Sequence, residues 1–359
     1  MNIASLAAPN YPIYQVLLPN GRLGQPLSDT LNDTQCHLAA YEHLWRTRLF
    51  DQRAVALQRT GQLGTYASCL GQEAISTAIG FSLQANDVFV PYYRDQAAQL
   101  CRGMKMASIL QFWGGDEWGS YHTNNQDLPA CIPIATQITH AAGVATALKL
   151  QQKKQAVVST CGDGASSRGD FYEALNLAGV WHLPLVVVIN NNQWAISVPL
   201  SQQTACATLA QKAVAAGIVA CRVDGNDFFA LMMALEEALE RARSGKGATL
   251  IEAVTYRLCD HTTADDMSRY ASLEQRQHAE EQEPLKRFRL FLEHTRHWQD
   301  AQQQALETRL KHEIEEAVTA YLQLASPAIS DMFTHVYSHL PTDLAQQQQA
   351  FLRLKGLSH

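Results

Sequence analysis

The middle of the chain alternates short apolar runs with segments of helix length. Four runs rich in Val, Ile and Leu lie at residues 156–161, 185–189, 218–223 and 249–256. Continuously apolar runs of this length are typical of strands buried on both faces of a parallel sheet. The segments between them are long enough for helices that cover those faces. We therefore predict an α/β fold, a mostly parallel sheet with helices on both faces.

Helical patterns flank this region. Apolar residues recur at helical spacing from residue 28 to 60, and further helices are predicted at 72–83 and 95–103 around a short strand at 88–91. A polar, irregular stretch at 257–270 precedes helical patterns at 273–295 and 302–325. We divide the chain into an N-terminal extension and helix (1–60), an α/β domain with C-terminal helices (61–325) and a helical C-terminal tail (326–359).

Composition narrows the classes of partner. The chain has 359 residues and a net charge of −6, and its 28 Lys and Arg are scattered, which argues against binding to nucleic acid. The first twenty residues contain no basic residue, whereas secretory and transit signals normally do. No apolar stretch approaches the roughly 18–20 residues needed to span a bilayer. We expect a cytoplasmic protein whose partners include neither nucleic acid nor a membrane.

Polar residues follow two of the predicted strands. Gly162, Asp163 and Gly164 come after the first apolar run, and Asn192 follows the second. Glycines let the backbone approach a phosphate, and a following helix would point free N–H groups at it. Asp163 and the amide oxygen of Asn192 would meet at the carboxyl edge of the sheet, with the carbonyl of Trp194 nearby. Oxygen ligands of this kind suit a magnesium ion shared with a diphosphate. The alternative is a plain turn and an Asn-rich loop.

The sequences GDGASSRGDFYEALNLAGVW and NNNQWAIS resemble the thiamine-diphosphate motif of a known family. That family comprises the α subunits of pyruvate and branched-chain 2-oxo acid dehydrogenases, and the resemblance runs from about residue 28 to about residue 325. It implies that the 61–325 domain binds thiamine diphosphate and Mg²⁺. It also implies roles for six residues, with the metal held by Asp163, Asn192 and the Trp194 carbonyl, and the diphosphate surrounded by Gly162, Gly164 and Ala165.

The same resemblance assigns residues on the other side of the cofactor. Tyr93 and Arg94, in PYYRD, would hold the diphosphate from the opposite side, where a guanidinium fork suits phosphate oxygens. Backbone groups of Ile132 and Ile134 would bond the aminopyrimidine ring, and Ile134 would help to hold the bent cofactor. A plain buried loop and helix start is the alternative for this segment.

Two histidines are the candidate catalytic residues. His261, in DHTTADD, matches the family's active-site histidine, on a loop that orders over the cofactor. With a pKa near neutrality it would steady a phosphate or the substrate carboxylate and assist acyl transfer to a lipoyl group. His122, in SYHT, is a second candidate near the substrate. Without the resemblance, an exposed loop histidine is the simpler interpretation of His261.

Partners and substrate follow from the resemblance as well. The family's catalytic glutamate comes from a β subunit, and no glutamate of this chain matches it, so we expect activity only in an assembly of two α and two β subunits. A lipoyl-bearing acyltransferase component would accept the acyl group. An arginine that many relatives carry after the second strand is replaced here by Ala205, a variation that resembles pyruvate-type α subunits. The sequence therefore predicts the α subunit of a pyruvate dehydrogenase first component.

Three other functions stay open at this point. A branched-chain 2-oxo acid or acetoin dehydrogenase α subunit would carry the same motif, because the motif binds the cofactor and not the substrate. A non-catalytic α-like chain that only stabilises a β partner would be expected to lack these motif residues. A nucleotide-binding domain of the Rossmann type is disfavoured because the chain has no GxGxxG fingerprint.

Overall fold

The computed structural model describes residues 10–121 and 126–356. Its centre is a five-stranded parallel sheet in the order β1-β2-β3-β7-β6, beside a separate two-stranded hairpin of β4 and β5. The strands, in chain order, are β1 (Val88–Val90), β2 (Val157–Gly162), β3 (Leu185–Asn191), β4 (Trp194–Ala195), β5 (Val198–Pro199), β6 (Val219–Asp224) and β7 (Thr249–Val254).

Helices cover both faces of the sheet. Within the described residues they are α1 (Thr34–Arg59), α2 (Glu73–Ser82), α3 (Gln96–Cys101), α4 (Met106–Trp113), α5 (Thr136–Leu150), α6 (Gly169–Val180), α7 (Leu200–Gln203), α8 (Lys212–Ala216), α9 (Phe228–Arg243), α10 (Leu273–Glu281), α11 (Pro284–His294), α12 (Asp300–Leu322), α13 (Asp331–Thr334) and α14 (Thr342–Leu354). None of them is both long and apolar enough to cross a bilayer.

The two faces of the sheet explain its continuous apolar runs. Along β3, Val186 and Val188 pack with α1, α2 and α9, whereas Val187 and Ile189 pack with α5 and α6. Successive side chains of a strand point to opposite faces, so a strand covered on both sides must be apolar at every position. The predicted α/β fold, a mostly parallel sheet with helices on both faces, is confirmed.

Several helix boundaries differ from the predictions for local reasons. Helix α1 begins at Thr34 and not near residue 28, because the Asp33 side chain caps it by accepting from the N–H groups of residues 35 and 36. The predicted helix over 273–295 is two helices. Pro284 cannot continue α10 and instead occupies the first turn of α11, which Glu283 caps.

The segment after the Gly-Asp-Gly turn also differs from the prediction. A short 3₁₀ helix, Asp163–Ser167, separates β2 from α6, so the α-helix begins only at Gly169. The periodicity of the sequence also gave no indication of the hairpin β4–β5 or of helix α4, since two-residue strands and an eight-residue helix carry too short a pattern. The hairpin follows directly after β3 and brings Trp194 beside the predicted metal residues.

Candidate active site

The predicted metal residues lie at one edge of the sheet. Gly162 at the end of β2 is paired with Asn190 near the end of β3, so the residues that follow both strands leave the sheet at the same edge. Asp163 and Asn192 are 1% and 3% exposed and line one cavity of about 210 Å³. The structure therefore brings these two oxygen donors together from strands that are distant in sequence.

Asp163 is a buried carboxylate that accepts a hydrogen bond from a side-chain amide. Burial raises the pKa of Asp163 above its ordinary value, and hydrogen bonds oppose that shift. One of those bonds comes from Gln203 at the end of α7, whose Nε2 donates to Oδ2 of Asp163 at 2.9 Å. Gln203 lies 40 residues along the chain and was not predicted. A carboxylate desolvated to this degree is stabilised by a cation.

Asn192 is oriented by a relay of buried polar side chains. Its Nδ2 donates to Oε1 of Gln72 at 3.1 Å, and the same oxygen accepts from the Tyr92 hydroxyl at 3.3 Å. The Tyr92 hydroxyl in turn accepts from Nδ2 of Asn190 at 2.6 Å. Because Nδ2 of Asn192 is turned toward Gln72, Oδ1 is left on the other side, where it accepts from the N–H of Trp194 at 3.2 Å. This role of Gln72 was not predicted.

The hairpin β4–β5 covers the Gly-Asp-Gly turn. A Cβ atom built at Gly164 would lie only 2.7 Å from Cβ of Ala195, so glycine is required for this approach. Trp194 is buried and its ring lies 5.2 Å from that of Tyr270, centroid to centroid. Gly162, Gly164, Ala165 and Trp194 all line the same cavity as Asp163. Trp194 and Asp163, which were predicted to share a metal, therefore line one cavity.

Tyr93, Arg94 and His261 form a second group that lines this cavity. Arg94 is buried, and its Nη2 donates to the His261 carbonyl at 2.6 Å and to Nδ1 of the same ring at 3.0 Å. The guanidinium carbon lies 5.2 Å from the centre of the Tyr93 ring. The predicted pair and the predicted histidine, from opposite halves of the chain, are therefore in contact.

The protonation of His261 differs from the sequence expectation. Burial, followed by the charges of Arg94 and Arg257, lowers the pKa of His261 to about 4, not to the neutral range. An arginine can only donate hydrogen bonds, so Nδ1 of His261 is an acceptor and the neutral ring carries its proton on Nε2. His261 is thus a neutral donor at neutral pH. His122, the other candidate, lies outside the described residues.

Ile132 and Ile134 line the same cavity. Their side chains are 48% and 45% exposed, which is unusual for isoleucine. These two positions of the segment are therefore not buried in this chain, whereas the predicted helix start is present. Helix α5 begins directly afterwards at Thr136, and its N-terminal residue Ala135 has a left-handed backbone with φ of 71°.

Arg257 is a residue of the site that the sequence did not single out. It is fully buried, and its Nη2 donates to the Ile196 carbonyl at 2.8 Å and to the Tyr270 hydroxyl at 2.6 Å. Arg257 lines the cavity, and its buried Nη1 has no hydrogen-bond partner among the described residues. Burial and the charge of Arg94 lower the pKa of Arg257. Two buried guanidinium groups beside one cavity call for an anion.

A larger cavity, of about 850 Å³, lies beside Trp194 on the other side of the hairpin. Its lining is mainly uncharged, with the carboxamides of Gln193, Gln275 and Gln282. Asp224 also lines it, but this carboxylate is already paired with Arg287 at 2.7 Å. Of these two cavities among the described residues, the smaller one combines a desolvated carboxylate with two buried guanidinium groups, and it is therefore the candidate active site.

Known proteins share this architecture and these motifs. The model of the family described as the dehydrogenase E1 component matches residues 41–328. The 3-methyl-2-oxobutanoate dehydrogenase subunit alpha of Mycobacterium tuberculosis is 39% identical over 310 residues, covering 86% of this chain and 84% of that protein. Pyruvate dehydrogenase E1 component subunits alpha are also similar, at 37% identity in Staphylococcus aureus (344 residues, 95% of this chain and 93% of the relative) and 39% in Bacillus cereus (307 residues, 85% and 83%).

The sheet edge, the buried carboxylate and these matches together define a class, that of thiamine-diphosphate-dependent 2-oxo acid dehydrogenases. The chain belongs to the dehydrogenase E1 component family, and it resembles the α subunits of those enzymes along most of its length. The resemblance identified from the Gly-Asp-Gly and Asn-rich motifs is confirmed. The relatives carry two different substrate names at nearly equal identity, so the identity values do not distinguish between the substrates.

Proposed function

We propose that this chain is the α subunit of a pyruvate dehydrogenase first component, which decarboxylates pyruvate and acetylates a lipoyl group. The observation that carries the proposal is the convergence of Asp163, Asn192, Arg94 and His261 on one cavity at the carboxyl edge of the sheet. Bound thiamine diphosphate would supply the electron sink for decarboxylation. The protein would supply binding, orientation and the exclusion of water.

The donor set of this cavity fits magnesium and a diphosphate. Asp163, Oδ1 of Asn192 and the Trp194 carbonyl are hard oxygen donors of the kind that Mg²⁺ prefers when it shares its shell with phosphates. Arg94 and Arg257 provide buried positive charge on the other side, and Nη1 of Arg257 has no partner among the described residues. The raised pKa of Asp163 is the sign of a carboxylate that a cation would stabilise.

His261 would act as a neutral hydrogen-bond donor. Arg94 occupies its Nδ1, which leaves the Nε2 proton for an oxygen in the cavity, such as the carboxylate or carbonyl of a 2-oxo acid. Ile132 and Ile134 would lie along the cofactor through their backbone groups, as their place in the cavity lining allows. His122 stays a prediction as a second catalytic residue.

The proposal includes a β subunit in an assembly of two α and two β chains. Among the described residues that line the cavity there is no glutamate, which supports a catalytic glutamate from another chain. A lipoyl-bearing acyltransferase component, a cytoplasmic location and the division of the chain at residues 60 and 325 are parts of the same proposal.

Two measurements on the reconstituted αβ enzyme test this function. Calorimetry should show Mg²⁺-dependent binding of thiamine diphosphate that Asp163→Asn abolishes. Asp170→Asn, a matched change on the surface of α6, should leave it intact. Loss of binding in both variants, or in neither, would contradict the assigned metal site.

Steady-state decarboxylation then decides the substrate. We expect pyruvate to be turned over with the higher kcat/KM. Faster turnover of 3-methyl-2-oxobutanoate would assign the chain to the branched-chain enzymes, and turnover of acetoin alone would assign it to acetoin dehydrogenases. Cofactor binding without any turnover would favour a non-catalytic α-like chain.

A further inference from the structure

The turn of the hairpin β4–β5 contains an isoleucine in an unfavourable backbone conformation. Two residues, Ile196 and Ser197, join Ala195 to Val198, which are paired across the hairpin. Ile196 has φ of 57°. Two-residue hairpin turns use positive φ at their first position, where glycine, asparagine or aspartate is the usual residue. A β-branched side chain is among the least suited to this region.

The other residues with positive φ show which cases need an explanation. In the described chain, six residues other than glycine have positive φ, and three of them directly follow helix C-caps, where a left-handed residue is common. Those three are Gln152, His182 and Arg296. The remaining three, Ala135, Gln193 and Ile196, all lie at the active-site cavity or beside Trp194. Backbone strain therefore concentrates where the chemistry is proposed.

The side chain of Ile196 is also poorly accommodated by its own chain. It is 56% exposed, although it lines the cavity that contains Asp163 and His261. Its carbonyl is fixed by Nη2 of the buried Arg257 at 2.8 Å. That bond holds the turn in place, so the isoleucine is kept at the mouth of the cavity despite both the strain and the exposure.

We infer that Ile196 is a specificity-determining residue, whose side chain forms an apolar wall against the bound cofactor and the alkyl group of the 2-oxo acid. Ile132 and Ile134 line the cavity with it and are also about half exposed. Three exposed isoleucines around one cavity fit an apolar ligand group that covers them. This inference rests on the proposed function and names the residue of that site that selects the substrate side chain.

Three variants of the reconstituted αβ enzyme separate the role of the side chain from its strain. Ile196→Gly removes both the wall and the unfavourable conformation, Ile196→Ala removes the wall alone, and Ile196→Val keeps the wall. Gln152→Gly is the matched control, because it relieves positive φ at a helix end far along the chain from the site. Both glycine variants should raise the Tm by about 1–3 °C.

The expected result is a division between stability and selectivity. Ile196→Gly and Ile196→Ala should lower kcat/KM for pyruvate by about 10–100-fold, and should shift the ratio of kcat/KM between 3-methyl-2-oxobutanoate and pyruvate by about tenfold toward the larger substrate. The dissociation constant of thiamine diphosphate, measured by calorimetry, should rise severalfold in the same two variants. Ile196→Val and Gln152→Gly should match the wild type in these three quantities.

Other outcomes would overturn the inference. Unchanged selectivity and cofactor affinity in Ile196→Gly and Ile196→Ala would show that the isoleucine contacts neither ligand. Loss of the αβ assembly in both variants, seen by size-exclusion chromatography, would show that Ile196 contacts a partner chain instead. A wild-type enzyme that binds no thiamine diphosphate would contradict the proposed function, a failure visible before any Ile196 variant is compared.

Discussion

Replacement of Gly164 by alanine should disturb the proposed metal site by displacing the hairpin β4–β5 that packs on it. The added Cβ would lie 2.7 Å from Cβ of Ala195, whereas ordinary contacts begin at 3.4 Å, so the hairpin would have to move by about 0.7 Å to restore an ordinary contact. Neither atom belongs to a flexible side chain that could turn away. Overpacking of this kind costs about 1–3 kcal/mol. Metal ligands tolerate only about 0.2 Å, so the Trp194 carbonyl would leave the shell proposed for it.

Gly162→Ala is the matched control, two residues away in the same turn. A Cβ at Gly162 meets no atom of the described chain within 4 Å. Neither glycine has positive φ, so both substitutions restrict the unfolded chain to the same degree. The difference between the two Tm values of the purified protein, free of metal and cofactor, therefore reports the contact with Ala195.

Urea denaturation and a titration with Mn²⁺ followed by electron paramagnetic resonance complete this test. We expect Gly164→Ala to be less stable than Gly162→Ala by about 1–3 kcal/mol and to bind Mn²⁺ about 10–100-fold more weakly. Equal stabilities would refute the close packing of the hairpin on the turn. A large loss of stability with unchanged Mn²⁺ affinity would refute the role of the Trp194 carbonyl.

Three further predictions concern residues around the same cavity. Gln72→Leu removes the acceptor that orients Asn192, so the Mg²⁺ dissociation constant from calorimetry should rise about tenfold or more; an unchanged constant would exclude the relay. His261 has a pKa of about 4 in the folded protein, lowered from 6.5. Between these two pH values the unfolded chain binds one more proton than the folded chain, so stability falls as the pH drops from 6.5 toward 4. His261→Gln should therefore reduce the dependence of Tm on pH in this range. Arg257→Met removes the bonds to Ile196 and Tyr270, so amide exchange of residues 257–270 should quicken, and unaltered exchange would contradict its bracing role.

The strands were predictable because a strand that is buried on both faces is apolar at every position. The run of Val and Ile in β3 can be recognised without knowing its neighbours in the sheet, since its side chains are apolar on both faces. The turn after β2 was also predictable from a few adjacent residues, because two glycines flank an aspartate there. The split between α10 and α11 was missed although Pro284 was visible, because helical spacing continues across it.

Part of the candidate site could also be predicted from the sequence. Asp163, Asn192 and Trp194 follow strands that pair in the sheet, so the rule that parallel strands end at one edge was sufficient to bring them together. The charge state of His261 was not local. It depends on burial and on two arginines, one of which lies 167 residues away. No spacing of residues in the sequence indicates that these charges lie close to His261.

The sequence by itself determined the α/β class, the Gly-Asp-Gly turn proposed to bind a metal, and the family to which the chain belongs. Only the tertiary structure decided what holds those residues in place. Gln203 reaches Asp163 across 40 residues, Gln72 reaches Asn192 across 120, and Arg257 fixes Ile196 across 61. Hydrophobic periodicity describes which way a side chain faces along its own element. Which side chains then meet depends on the order of the strands and the closure of the loops between them, and that order exists only in the folded chain.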